Sequence, residues 1–478
     1  MLVAKPFWAT YDPGTMSERT IRAAAGQVTA CLMNEADATL ASLAAAIESA
    51  GRQQADLLVL PECAYPAYLL GSVESYRAGG HLSSEAFVDW LGRQAARHGL
   101  HIVCGFVEDA ATALFNAAVL IDDRGQEVGR ARKRFLWNAD RDWFAPGTEI
   151  RALDSRVGRI GIAICAETRV PEILATLAAD GAELVAMPTC WINGAREQGR
   201  FQNPQVDFLI EARAREFGVP FVCADKSGWE MPGVGYVGLS RIVAAGGELL
   251  AEAPPTGDAV VTARLTLRPA RPAPVRQEHR RRLSSGEVPV RPAAVPPRKV
   301  GLAVVPTELF TQRAEMESWW EGLRRDTVRL VVTHLADEVM RERAATAGRR
   351  FGIDVVSAST GAGVSQVAVA RVGCLIGREA SSFAPARVLA LDGAEMIVCF
   401  EPPEDLPLLR TRAMENRVFL VGVGLRLGVI VGPGGEVLAE ADRECPGVVE
   451  IDLAAAGDKT VAPGTDVFTE RRATWYRF

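Results

Sequence analysis

The chain has 478 residues, 48% hydrophobic and 23% charged, which exceeds one ordinary domain and is enough apolar material for two cores. A formal net charge of −6 argues against nucleic acid or an anionic membrane as partner, and no run approaches the roughly 20 apolar residues of a membrane span. The 9 cysteines form no CxxC pair and metal-ligand spacing is absent around the 5 histidines, so no metal is implied and a reducing, cytoplasmic setting is expected.

Residues 1–20 read as an irregular arm without the charged-then-apolar order of a signal peptide. The stretch 36–54 predicts a helix with Leu40, Leu43, Ala44 and Ile47 on one face. Short apolar runs follow, "ADLLVLP", "LHIVCGF", "RIGIAIC", "ELVAMP" and "PFVCAD". They are continuous rather than alternating, as in strands buried on both faces. "GLSRIVAAGGELLAEA" predicts a hairpin around a Gly-Gly turn, and "AVVTARLTL" a further strand. An α/β unit of two packed sheets covered by helices is expected over residues 21–267. Residues 268–299, rich in proline and arginine, read as a semi-rigid linker to a second unit at 300–478.

That second unit restates the first. "DGAELVAMP" (180–188) returns as "DGAEMIVCF" (392–400), "RAREFGVPFV" (213–222) as "RAMENRVFLV" (412–421), and "GGELLAEA" (246–253) as "GGEVLAEA" (434–441). A weaker echo links "RHGLHIVCG" (97–105) to "RFGIDVVSA" (350–358). Matches in one order mean a tandem duplication.

Three strand ends of the first half carry chemistry: Glu62 after "VLP", Lys133 in "RARKRFLW", and Cys165 closing "RIGIAIC". Ligand sites in parallel α/β sheets form beyond the carboxyl ends of strands. A thiol attacks only once deprotonated; a half-buried carboxylate can take its proton, and an ammonium can hold the resulting oxyanion. Only five of the 53 basic residues are lysines, which makes Lys133 a marked choice where arginine is the default cation. In the second half His334 stands opposite Glu62 when the strings are laid together, Gly377 replaces Cys165, and no lysine lies between Ala358 and Cys374. One copy keeps the chemical groups; the other keeps only the framework.

With these three motifs in this order, the first half resembles the nitrilase superfamily of carbon–nitrogen hydrolases, and the second resembles it in framework only. The resemblance implies two tandem α-β-β-α sandwich domains. It implies a cofactor-free reaction with Glu62 as general base, Cys165 as nucleophile, and Lys133 with the backbone N–H of Ala166 as oxyanion donors. Asp140 in "DRDWFAPG" stands where many relatives carry a second glutamate, one methylene longer. Ala166-Glu167 after the nucleophile, in place of Trp-Glu, favours an amide or N-carbamoyl substrate over a nitrile. Trp191 and Tyr68 are the expected substrate-binding residues, with Trp137 and Trp143 as further candidates. The closing "FTERRATWY" is similar to the tail with which family members often end, and the resemblance implies "RQEHRRRL" as the equivalent tail of the first half, which would make much of the apparent linker an ordered extension. The expected partners are a small-molecule substrate and, in place of a subunit, the second half itself as an intramolecular pseudo-dimer open to further homo-oligomerisation. The alternatives are a nitrilase or acyl transferase using the same groups, and, in another class, an inactive binding or scaffold protein.

Overall fold

The computed structural model describes residues 18–193, 203–270, 272, 274–288, 297–335, 337–357, 363–367 and 370–478. Most of the N-terminal arm and part of the Pro/Arg-rich stretch lie outside them. The first half contains two sheets. One runs in the order Glu127–Arg132, Leu114–Ile121, His101–Asp109, Leu57–Val59, Arg19–Thr29, with Ala259–Leu267 antiparallel to the last and Lys226–Met231 joining its far end. The other runs Leu249–Glu252, Arg241–Val243, Phe221–Ala224, Leu184–Pro188, Gly158–Ile162, Ala152–Ser155.

Both faces of the first sheet are covered, which explains the unbroken apolar runs. Ala24, Leu58, Ile102 and Val119 face the helices Ala36–Arg52 and Ser84–His98, while Ala23, Leu57, Val103 and Ala118 face the second sheet. The first helix buries Thr39, Leu43, Ala46, Ile47 and Ala50, so its apolar stripe runs one step beside the expected one, and Ala44 lies at its margin. Helices Pro171–Ala179 and Ile210–Phe217 close the far side of the second sheet. The layering is α-β-β-α.

The second half repeats it on a reduced plan. Its sheets run Asp354–Val356, Val328–Val332, Lys299–Val304, Gly447–Asp452, and Val364–Val367, Ala370–Ile376, Met396–Phe400, Phe419–Val423, Gly428–Val431, Val437–Ala441. The register makes the correspondence concrete: Ala152 pairs with Gly161 and Val364 with Gly373, while Gly161 pairs with Val185 and Gly373 with Ile397. Gly377 is therefore the counterpart of Cys165, each four residues on. His334 is not the counterpart of Glu62. Val59 pairs with Val103 and Val332 with Val356, and in each case the next N–H, of Leu60 or Thr333, donates to that same partner's carbonyl. Two positions further lie Glu62 and Leu335.

The halves meet through helices. Pro171–Ala179 and Ile210–Phe217 pack against Phe383–Leu391 and Leu406–Asn416, with Phe217 against Phe383. At the centre is a closed ring of four buried charges. Arg213 binds Glu216 at 2.7 Å and Glu415 at 2.5 Å; Arg412 binds Glu415 at 2.7 Å and Glu216 at 2.5 Å. Arg213 and Arg412 open the repeated "RA" strings, so the ring is two-fold in sequence as well as in space. Residues Gln277–Ser284 of the Pro/Arg-rich stretch form a helix whose Leu283 is buried and whose Arg282 binds Asp392 at 2.7 Å. Within the stretch expected as a linker or tail, this helix docks through Leu283 and leaves most of its other residues exposed.

Candidate active site

Glu62 lies just past Leu57–Val59, where the chain crosses beneath Gly105. A side chain at Gly105 would place its Cβ 2.4 Å from Pro61 O and 2.5 Å from the Glu62 Cα, so only glycine permits this crossing. Glu62 is completely buried. Its Oε1 accepts from Lys133 Nζ at 2.6 Å and from Asn116 Nδ2 at 2.7 Å; its Oε2 has no hydrogen-bond partner among the described residues.

Lys133 follows the strand Glu127–Arg132, and its N–H donates to Asn116 O at 2.7 Å. The Nζ lies between two carboxylates, with Asp140 Oδ2 also at 2.6 Å. Asp140 therefore reaches the lysine despite its shorter side chain. It accepts in addition from the Tyr68 hydroxyl at 2.9 Å and from Trp137 N–H at 2.8 Å.

Cys165 opens a short turn, Cys165–Arg169, with φ +47°, a conformation that disfavours any side chain. Glu167 locks this turn: its Oε2 accepts from Ile164 N–H at 2.8 Å and pairs with Arg134 at 2.5 Å, while its Oε1 accepts from Arg134 N–H at 2.6 Å. Arg134 is the residue after Lys133, so one buried ion pair sets the lysine loop against the cysteine turn. The Cys165 thiol donates to Cys190 O at 3.6 Å, and Gln205 Nε2 donates to Cys165 O at 2.9 Å.

The electrostatics follow from burial with one cation among acids. Burial lifts the Glu62 carboxyl above its ordinary value of 4.5; the Lys133 charge opposes this and Asp140 adds to it. Burial works against the Lys133 charge, but Asp140 and Glu62 outweigh it and hold its pKa well above the usual lysine range. Burial and the neighbouring Glu62 push the Cys165 thiol up, with Lys133 pulling the other way. The sulfur therefore rests as a thiol.

Glu62, Lys133 and Cys165 line one cavity of about 50 Å³, together with Tyr68, Trp137, Ala166, Arg169, Cys190, Trp191, Ile192, Asn203 and Gln205. Of the expected pocket residues, Tyr68, Trp137 and Trp191 stand at this cavity. Trp143 does not line it and instead packs edge-on against Tyr68. Among the contributors that escaped the sequence reading are Asn116, Arg134, Arg169 and Gln205. Asn116 alone left a trace, as the polar residue inside the apolar run "LFNAAV".

Arg169 is the odd cation of the wall. Its guanidinium lies over the Trp137 ring at 4.7 Å, and Nη1 lies 3.6 Å from Met414 Sδ of the second half. Its Nε has no partner, and it pairs with no carboxylate among the described residues. Burial pulls its pKa down to about 10. Also among the described residues, no three His, Cys, Asp or Glu side chains are grouped to hold a metal ion, and no helix is long and apolar enough to cross a membrane.

A double-layered α/β sandwich whose strand ends bring a thiol, a carboxyl and an ammonium to one cavity defines the class. The profile of the carbon-nitrogen hydrolase family matches residues 22–274 and again 327–459, most of the sequence, and the chain belongs to that family. A nitrilase of Pyrococcus abyssi is 30% identical over 223 residues, 46% of this chain and 80% of the relative. The N-carbamoylputrescine amidase of Arabidopsis thaliana is 28% identical over 189 residues, 37% of this chain and 63% of its own. Among solved structures, a carbon-nitrogen hydrolase from Helicobacter pylori is similar at 22% identity and TM-score 0.47, covering 52% of this chain and 89% of that one. An amidase from Nesterenkonia sp. is similar at 23% identity and TM-score 0.45, covering 52% and 90%.

Proposed function

We propose that the first half hydrolyses the C–N bond of a small amide or N-carbamoyl compound through a thioester on Cys165. The observation that carries this reading is the division of labour on Glu62. One oxygen is committed to Lys133 and Asn116, while the other is buried, without a partner among the described residues, and beside the cavity that Cys165 lines. A carboxylate in that state is a base held for a proton.

In this scheme Glu62 Oε2 takes the thiol proton as the Cys165 sulfur adds to the substrate carbonyl. The Lys133 ammonium and the Ala166 N–H hold the oxyanion. Glu62 returns the proton to the leaving ammonia or amine as the C–N bond breaks, leaving the thioester. Water then attacks the thioester with Glu62 again the acceptor; as the C–S bond breaks the acid departs and Glu62 returns the proton to the Cys165 sulfur. Positioned proton transfer and an oxyanion donor each supply roughly two to three powers of ten in rate. Asp140 keeps Lys133 charged throughout.

An inactive scaffold is the poorer reading, because a non-glycine residue is kept at φ +47° on Cys165 where the second half has glycine. The nitrile alternative draws support from the likeness to the Pyrococcus nitrilase and uses the same thiol. Arg169 narrows the substrate: a guanidinium in the cavity wall with no carboxylate partner among the described residues favours a substrate bearing an acidic group. The second half serves as the internal partner, a role supported by the two-fold charge ring and by Met414 reaching Arg169.

An ammonia-release screen over neutral amides, carboxylate-bearing amides, N-carbamoyl compounds and nitriles tests this, with Cys165→Ala as blank. Turnover of acidic amide or carbamoyl compounds is expected, with Arg169→Gln erasing the preference for the acidic ones. Turnover that survives in Cys165→Ala would refute the scheme.

A further inference from the structure

The turn that carries Asp140 is held from outside by the other half of the molecule. Its entry is fixed at two successive N–H groups. Trp137 N–H donates to Asp140 itself, and Asn138 N–H donates to Thr465 Oγ1 at 2.9 Å. Asn138 sits at φ +45°, so this peptide has a defined and uncommon orientation. Its exit is fixed by Arg141, which pairs with Glu470 at 3.1 Å and donates to Leu136 O at 3.1 Å.

Thr465 and Glu470 belong to the closing segment of the second half, and that segment is anchored. Thr465 is buried, and Val467 and Phe468 enter the main core. Arg471 binds Glu172 at 2.9 Å, and Glu172 lies in the helix Pro171–Ala179 that follows the cysteine turn; Arg387 binds the same carboxylate at 3.1 Å. One strap thus touches both the lysine loop and the helix behind the nucleophile.

We infer that Thr465 and Glu470 are positioning residues that hold the Asn138–Arg141 turn so that Asp140 stays against Lys133. This rests on the proposed roles of Cys165 and Glu62. The second half then contributes to catalysis without lining the reacting atoms. A threonine hydroxyl is suited to the task because it offers an acceptor of fixed reach from a buried site, which valine of equal size lacks. If the turn drifts, Asp140 moves from Lys133, and one of the charges that lifts the Glu62 carboxyl weakens.

The test uses the full chain and the rate at which iodoacetamide alkylates Cys165, followed by peptide mapping across pH, with thermal melting alongside. Thr465→Val is expected to slow alkylation about tenfold, since small displacements at a reacting site are costly. It should also move the acid limb of the profile to lower pH, with Thr465→Ser restoring both. Glu470→Gln, on a partly exposed pair, is expected to do the same about threefold, and gives the answer alone should the valine variant not fold. An unchanged rate and profile in folded Thr465→Val, or in Glu470→Gln where only it folds, would overturn the inference, as would Thr465→Ser failing like valine. Glu62→Gln separates the two levels: if wild-type Cys165 reacts no faster than the other cysteines and Glu62→Gln changes nothing, the proposed function itself falls.

Discussion

The turns Cys165–Arg169 and Gly377–Ser381 are the same device built twice. Each follows a parallel strand, each begins at positive φ, +47° and +54°, and each is closed by a glutamate two residues on, Glu167 or Glu379, accepting the N–H of the residue before the bend, Ile164 or Ile376, at 2.8 and 3.0 Å. They differ in what stands at the bend. Glycine adopts such a φ freely, whereas a side chain there costs roughly 1–2 kcal/mol. The second half has settled on the residue the backbone prefers, and the first has not. Under the proposed function, the strain at Cys165 is kept for its thiol.

A larger difference lies upstream. Between Asp109 and Ala152 the first half builds the strands Leu114–Ile121 and Glu127–Arg132, presents Lys133, and turns through Asp140–Trp143. At the corresponding place the second half passes from Val356 to Val364. Lys133 and Asp140 were therefore not substituted one by one in the second copy. Only seven residues join those two strands, too few for the segment that carries them in the first half. What the second copy keeps is its helical face: the Arg412–Glu415 half of the charge ring, the Met414 that meets Arg169, and the strap ending in Thr465 and Glu470.

The comparison can be broken most sharply at the bends themselves. Cys165→Ala is expected to lower ammonia release at least about a thousandfold, as loss of a covalent nucleophile does, while Gly377→Cys adds no activity in that background. A gain from Gly377→Cys would mean that the second half is a dormant site rather than a support. Next in size is the interface. Arg213→Met leaves Glu415 and Glu216 short of a buried partner and should cost about 3–5 kcal/mol, read as a fall in melting temperature. The ring also predicts an acid sensitivity. Burial opposes the charge on Glu415, but Arg412 and Arg213 hold its pKa below the ordinary 4.5. Its contribution is present above that value and is lost as pH falls through the depressed one.

The site has the opposite sign. The Glu62 carboxyl is raised and must be ionised to accept a proton, so kcat/KM should fall as pH drops through a value above 4.5. Asp140→Asn removes one raising charge and should move that limb down, while lowering kcat by weakening the hold on Lys133. The smallest effect is Gly377→Ala. The built Cβ meets nothing within 4 Å, so the cost is that of the backbone alone, about 1 kcal/mol in a thermal melt.

The sequence carries the local part of this architecture plainly. Glu62, Lys133 and Cys165 each end a recognisable apolar run or basic string, and the repeats set the layers in order. It carries the register poorly where strands are buried on both faces. "LLVLPE" and "RLVVTH" show no alternation that would resist a slip of one residue, and hydrogen bonding is needed to put Leu335 rather than His334 opposite Glu62. It is silent on pairings between distant segments. Nothing in "CAET" announces that Glu167 clamps Arg134, or that Thr465, far along the chain, holds the peptide of Asn138. Those contacts exist only once the sandwich is closed and the halves are packed.

The most direct trial of the central claim is mass mapping of the full chain quenched in acid during turnover of an amide found active in the screen. The account predicts an acyl group on the peptide containing Cys165, with the mass of the substrate less its amine, and none on any peptide of Cys165→Ala. Steady release of ammonia with no adduct on Cys165, and undiminished in Cys165→Ala, would contradict it.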